Sequence, residues 1–216
     1  MPSSRLDATA LRSLLKDAVD AVTGGVLPGR HQPTTNSIGI YLAWRWALEG
    51  ERGPRSNVYV YASKHPTAAG VDHFTRLPPS MKEELGPRLR EYQFLTDVFI
   101  TRHSRQNAIE RTLLAAEIEA SPNHRVEYAY EGDNYNDYLW DFSKLLHVKA
   151  PKHLLVACAP PERLGTLADT LAQGYRDARG VQGAEETCVC LLPSTTDWSE
   201  VRLGVVDDTG ELRFES

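Results

Sequence analysis

The chain has 216 residues, 41% of them hydrophobic and 25% charged, with a formal net charge of −5 at neutral pH. That is enough polypeptide for one generous domain with a substantial core. No apolar run approaches the roughly 20 residues that cross a bilayer, and the acidic balance argues against an obligate nucleic-acid coat protein, though not against an enzyme with one local basic patch. The opening residues Met1-Pro2-Ser3-Ser4-Arg5 lack the apolar core of a signal peptide, so a cytoplasmic protein is expected. Cys158, Cys188 and Cys190 lie in apolar runs as small hydrophobes, too dispersed for a zinc site.

In chain order, Leu11, Leu14, Leu15, Ala18, Val19 and Val22 recur at helical spacing, and Gly24-Gly25 supply a stop. After a Pro/Gly/Thr loop, a second helix is expected from Asn36 or Ser37 to about Gly50. Its two tryptophans, Trp44 and Trp46, point to different faces, which predicts one in the core and the other exposed or partly buried under the preceding loop. Residues 56–63 have strand character. A charged helix is expected from Ser80 to about Tyr92, with Gly86-Pro87 as a potential break. From there strands are predicted at about 94–101, 113–120, 153–158, 187–192 and 201–206, and helices at 134–147 and 161–179. Asp208-Thr209-Gly210-Glu211 suits a hairpin turn into a last strand at 211–215. The fold class is therefore α/β, a mixed central sheet flanked by helices. Residues 1–55 form an N-terminal helical region packing on a core of 56–216.

Two of these strands carry acids where plain core strands would not. Asp97 shares a strand face with Leu95 and Phe99, while Glu117 and Glu119 share one with Leu113 and Ala115. If the strands at 94–101 and 113–120 pair antiparallel, Asp97 falls opposite or diagonal to Glu117. A buried carboxylate needs compensation, and a divalent cation is one compensator. Hard oxygen ligands on neighbouring strands suit Mg²⁺ or Mn²⁺, held by Asp97 and Glu117. The connection between the strands supplies Arg102, His103 and Arg105, continued by Arg111, as candidate phosphate contacts near the same edge.

The helix at 134–147 places Tyr135, Tyr138, Leu139, Phe142, Leu145 and Leu146 in one apolar stripe. Asp137, Asp141 and Lys144 form the opposite stripe. An Asp–Lys pair there has the spacing of a weak surface ion pair, which is the expected reading, with a catalytic role for Lys144 as the alternative.

The order of an Asp strand, a polar connection, a strand bearing Glu-x-Glu, a helix and an apolar strand resembles the PD-(D/E)XK nuclease superfamily, the restriction-endonuclease-like fold. The resemblance covers about residues 92–160. It implies Asp97 as the first acid, Glu117 as the second, and Glu119 in the position of the motif's lysine, a Glu-x-Glu variant of the pattern. Thr96 stands where the motif name has proline. It further implies a Mg²⁺-dependent endonuclease acting on DNA, with an upstream helix acid among Glu49, Glu83, Glu84 and Glu91, and a homodimer if both strands are cut. The alternative is a catalytically inactive relative serving as a partner-binding or regulatory module, which the missing lysine and the acidic charge favour. The chain has no Gly-rich phosphate loop, no Gly-x-Ser-x-Gly elbow and no His-x-x-x-His pair.

Overall fold

A computed structural model describes residues 6–51, 54–62, 79–91, 96–106, 108–119, 136–178 and 184–215, the side chains at 79, 80, 91, 136 and 137 excepted. The expected starts of a strand at Phe94-Leu95 and of a helix at Asn134-Tyr135 lie outside those residues, as do the side chains of Glu91 and Asp137.

Helix α1 (Ala8–Thr23) begins where the Asp7 carboxylate accepts the Ala10 N–H at 2.8 Å, and it ends at Gly24, whose φ of 71° is readily adopted only without a Cβ. Helix α2 (Gln32–Leu48) starts earlier than its polar residues suggested, because Pro33 suits a first helical turn. Next come strand β1 (Val58–Ala62), helix α3 (Pro79–Leu85) and strand β2 (Leu89–Glu91). The charged helix expected to reach Tyr92 is therefore cut at Leu85. Gly86-Pro87 turn the chain through a 3₁₀ turn, and the residues beyond it pair with β1.

Strand β3 (Val98–His103) and the long strand β4 (Ile109–Glu119) form the antiparallel pair, joined by a turn in which Ser104 N–H donates to Ala108 O at 2.9 Å. Helix α4 (Asn136–Leu146) carries the chain to β5 (Lys152–Ala159), parallel to β4. Helix α5 (Pro161–Asp177) does the same to β6 (Glu186–Pro193), and β7 (Arg202–Val206) and β8 (Leu212–Glu215) close the sheet as an antiparallel hairpin. Among the described residues, eight strands form one sheet in the order β2-β1-β3-β4-β5-β6-β7-β8. The sheet is mixed and flanked by helices, as expected from the alternation of strand and helix patterns.

Alternation along the strands divides the apolar side chains between two layers. Val58, Val60, Ile100, Leu114, Ala116, Leu154, Val156 and Cys190 face α1 and α2 in one cluster. Ala115, Leu155, Ala157, Val189 and Leu191 face α4 and α5 in the other. Helix α2 is apolar around most of its circumference because it lies between α1 and the sheet. That corrects the expectation for its tryptophans: Trp44 and Trp46 are both buried, at 0% and 1% exposure. The Trp44 indole N–H donates to Glu84 at 2.9 Å, and Trp46 is covered by the Lys152 ammonium 5.5 Å from its ring centre. Among the described residues no helix is long and apolar enough to cross a membrane.

Candidate functional site

The β3–β4 register is Val98 with Ala116, Phe99 with Ala115 and Ile100 with Leu114. One step beyond the first of these pairs stand Asp97 and Glu117, directly opposite each other. The two residues knit the strand ends together. Asp97 N–H donates to Glu117 Oε2 at 3.3 Å, and Ile118 N–H donates to Asp97 Oδ2 at 2.9 Å. Their carboxyl groups lie close enough for Asp97 to perturb the ionisation of Glu117. Glu117 is on the face covered by α4 and is only 2% exposed.

Helix α4 reaches over this pair. Lys144 Nζ lies 3.2 Å from Glu117 Oε1 and 2.7 Å from Asp141 Oδ1, with Lys144 28% and Asp141 19% exposed. Asp141 and Lys144 do not form an outward surface pair. They flank the buried arc of α4 and turn toward β4, while Tyr138, Phe142, Leu145 and Leu146 fill the core as expected. Glu117 Oε1 is fully buried and, despite the nearby ammonium, has no hydrogen bond of adequate angle.

The electrostatics follow from this crowding. Burial pushes Glu117 up to about 9, the neighbouring Asp97 charge pushes the same way, and Lys144 only partly opposes them. Around neutral pH this favours the protonated form of Glu117. For Lys144, burial disfavours the charge, but the hydrogen bond from its ammonium to Asp141 and the closeness of the Glu117 and Asp141 carboxyls more than offset it, so its pKa is raised. Lys144 is thus held as an ammonium, a fixed cation rather than a base.

The donor set fits a small hard cation: two abutting carboxyl groups, one with an orphaned oxygen, are hard oxygen donors whose proton a divalent ion would displace. Asp97 and Glu117 would hold it. Among the described residues, no group of three or more His, Cys, Asp or Glu side chains stands at metal-ligating distance.

Glu119 falls on the same face two residues on, half-buried beside Ala157 of β5, and its charge is felt at the Cys158 thiol. The upstream acids are engaged elsewhere or exposed. Glu84 is tied to Trp44 and Arg55, Glu49 caps α2 where its carbonyl accepts from Lys152, and Glu83 faces solvent.

The basic residues of the connection lie at the other end of the strand pair. Arg102 is five residues along β3 from Asp97, about 17 Å at the strand rise. Arg102 and Arg111 both bind the Glu51 carboxylate, at 2.7 and 2.8 Å. His103 is buried between Tyr59 and Tyr61, its Nε2 3.1 Å from the Tyr61 hydroxyl and 3.1 Å from Thr101 Oγ1. Arg105 is exposed in the turn. The strand ends thus separate the acid cluster from the basic one, a distance that the sequence proximity of Asp97 and Arg102 conceals. The three cysteines are buried in β5 and β6, and burial pushes Cys158 to about 11 and Cys190 to about 12. They are unreactive core residues, as their sequence context suggested.

In comparisons with known proteins, no family model, no curated protein and no solved structure matches the chain.

Proposed function

We propose that the protein is a metal-dependent endonuclease hydrolysing DNA phosphodiester bonds, with its site at the Asp97–Glu117 pair. One observation carries this reading. The two acids lie adjacent across an antiparallel strand pair, and a lysine arriving from the following helix instead of from the strand reaches one of them, Glu117. The order of elements that resembles the PD-(D/E)XK superfamily is thereby completed by a cation. Glu119 occupies the strand position of the motif's lysine, and Lys144 supplies the missing charge over the same carboxylate.

Each residue has a task that its surroundings support. Asp97 and Glu117 would hold Mg²⁺ or Mn²⁺, which would supply an activated water and neutralise the phosphate. Lys144, kept charged by Asp141, stabilises negative charge growing on the phosphoryl oxygens. Glu119, on the same face, orients the attacking water. Arg105 contacts the DNA backbone beyond the site, and Arg102, His103 and Arg111 shape that strand end behind it.

A second reading is an inactive relative that binds a partner. It is favoured by the protonated Glu117 and the Lys144–Asp141 pair, which together form a polar cluster that can hold without a metal. The two readings part on one experiment. Wild-type protein is incubated with supercoiled plasmid DNA and Mg²⁺ or Mn²⁺, beside Glu117→Ala and Lys144→Met. We expect nicking or linearisation by the wild type and a loss of roughly 100-fold or more in each variant. Cleavage that persists unchanged in Glu117→Ala would falsify the site. A wild type that neither cuts DNA nor shows a metal-induced rise in melting temperature favours the partner-binding module.

A further inference from the structure

Helix α4 does more than deliver Lys144. Among the described residues, the large hydrophobic side chains left exposed are Val26, Ile109 and Trp140, and Trp140 is the sole aromatic among them, at 66% exposure. Scattered exposed aliphatics on a surface need no account. An indole is different, because exposing so large an apolar ring forgoes more burial than exposing any other side chain. Its position is also particular. Trp140 and Lys144 are four residues apart on α4, so their Cβ atoms are about 6 Å apart on one helix face. At 3.6 residues per turn, Lys144 stands about 40° around the helix from Trp140 and about 60° from Asp141 on its other side. The ammonium therefore lies between the indole and the acid cluster. Lys144 and Asp141 are themselves part-exposed, at 28% and 19%. Trp140 follows Lys144 around the helix on its solvent side.

We propose that Trp140 is a stacking platform for an unpaired nucleobase of the DNA strand whose phosphate is presented to Lys144. This rests on the nuclease reading and deepens it, because it names the substrate as DNA with a single-stranded or locally unpaired nucleotide at the cut. Base–aromatic stacking needs an exposed π-face beside a cation that tracks the backbone, and α4 offers both one turn apart. A base paired within a duplex has its faces covered by its neighbours, so the platform selects a nucleotide that is already unstacked or is drawn out of the stack. The indole also prefers either partner sequence equally, since every base has a π-face. The specificity is therefore for strand structure and not for base order.

The test uses the full chain and fluorescence anisotropy of a labelled single-stranded oligodeoxynucleotide, compared with the blunt duplex of the same sequence. Ca²⁺ replaces Mg²⁺ so that binding is read without cutting. Trp140→Ala is expected to weaken single-strand binding about tenfold or more and duplex binding much less, with Trp140→Phe restoring most of the loss. Trp140 is exposed, so both variants should melt with the wild type, and a matching melting temperature verifies this. Equal single-strand affinity in wild type and Trp140→Ala overturns the proposal. If plasmid cutting still depends on Glu117 in that case, the nuclease reading survives alone. Should the wild type bind neither DNA, both fall together. A change in sedimentation of Trp140→Ala with strand binding intact also overturns it, by making a second copy of the chain the occupant of the indole.

Discussion

At Glu117, burial and the Asp97 carboxyl act in the same direction, and the consequence for stability has a definite sign. The folded protein holds a proton on this group up to about pH 9, whereas the unfolded chain releases it near 4.5. Between those values the native state binds more protons, so stability from this group falls as pH rises through the window. Glu117→Gln removes the titration while keeping the shape. In chelator its melting temperature should exceed the wild type's by about 3 °C or more at pH 8, given about 2–4 °C per kcal/mol for a chain of this size. At pH 4 the two should coincide. A variant no more stable at pH 8 than the wild type would mean that Lys144 fully compensates the charge. The juxtaposition of Asp97 and Glu117 was legible in the sequence because face alternation and antiparallel register are both local rules. Lys144 was not assigned its place that way. A helical pattern gives the apolar arc, but it does not say which polar residue at the border of that arc bends inward and finds a carboxylate.

At the scale of elements, the distance between α2 and the sheet is set by Gly39. A Cβ there would stand 2.7 Å from Ile118 Cδ1 and 2.9 Å from its Cγ1, closer than packed carbons tolerate. Ile118 is a stiff β-branched residue, and its N–H holds Asp97 Oδ2 from behind. A larger residue at 39 therefore pushes on the backbone that spaces the two acids. Gly39→Val is expected to cost about 1–3 kcal/mol by overpacking and to lower metal affinity as well. Thermal melts with and without Mn²⁺ check both effects, and an unchanged Mn²⁺-dependent shift would detach the helix from the site. The same tight layer explains the error over the tryptophans. Alternating faces imply one buried and one exposed Trp only for a helix with a solvent side, and α2 has α1 over that side. The early start of β4 at Ile109 was equally unreadable, since Glu110, Arg111 and Thr112 carry no apolar alternation and belong to an exposed hairpin extension.

For the whole molecule, a buried histidine in the sheet contributes to the acid limb of the stability curve. His153, at the start of β5, is fully buried, and burial lowers its pKa to about 4, while its Nε2–H donates to Val148 O at 2.8 Å. The unfolded chain takes up this proton near pH 6.5, so stability from this group falls as pH drops from about 6.5 to about 4. His153→Phe loses the hydrogen bond and is less stable overall, but its melting temperature should fall less steeply with acidification over that range. A slope identical to the wild type's would remove His153 from the account. The mixed α/β architecture was readable because strand and helix periods alternate over most of the chain. The strand order was not, because pairing across the sheet depends on which elements pack together in space.

That order places the apolar strands β4, β5 and β6 inside and leaves β2 and β8, of three and four residues, at the rims. As far as the described residues run, both rims are brief and charged, with Arg90 on one and Arg213 and Glu215 on the other. Such margins resist adding a strand from another molecule. Two copies of the chain brought together would therefore meet through helices or loops, and each would keep its sheet closed to its neighbour.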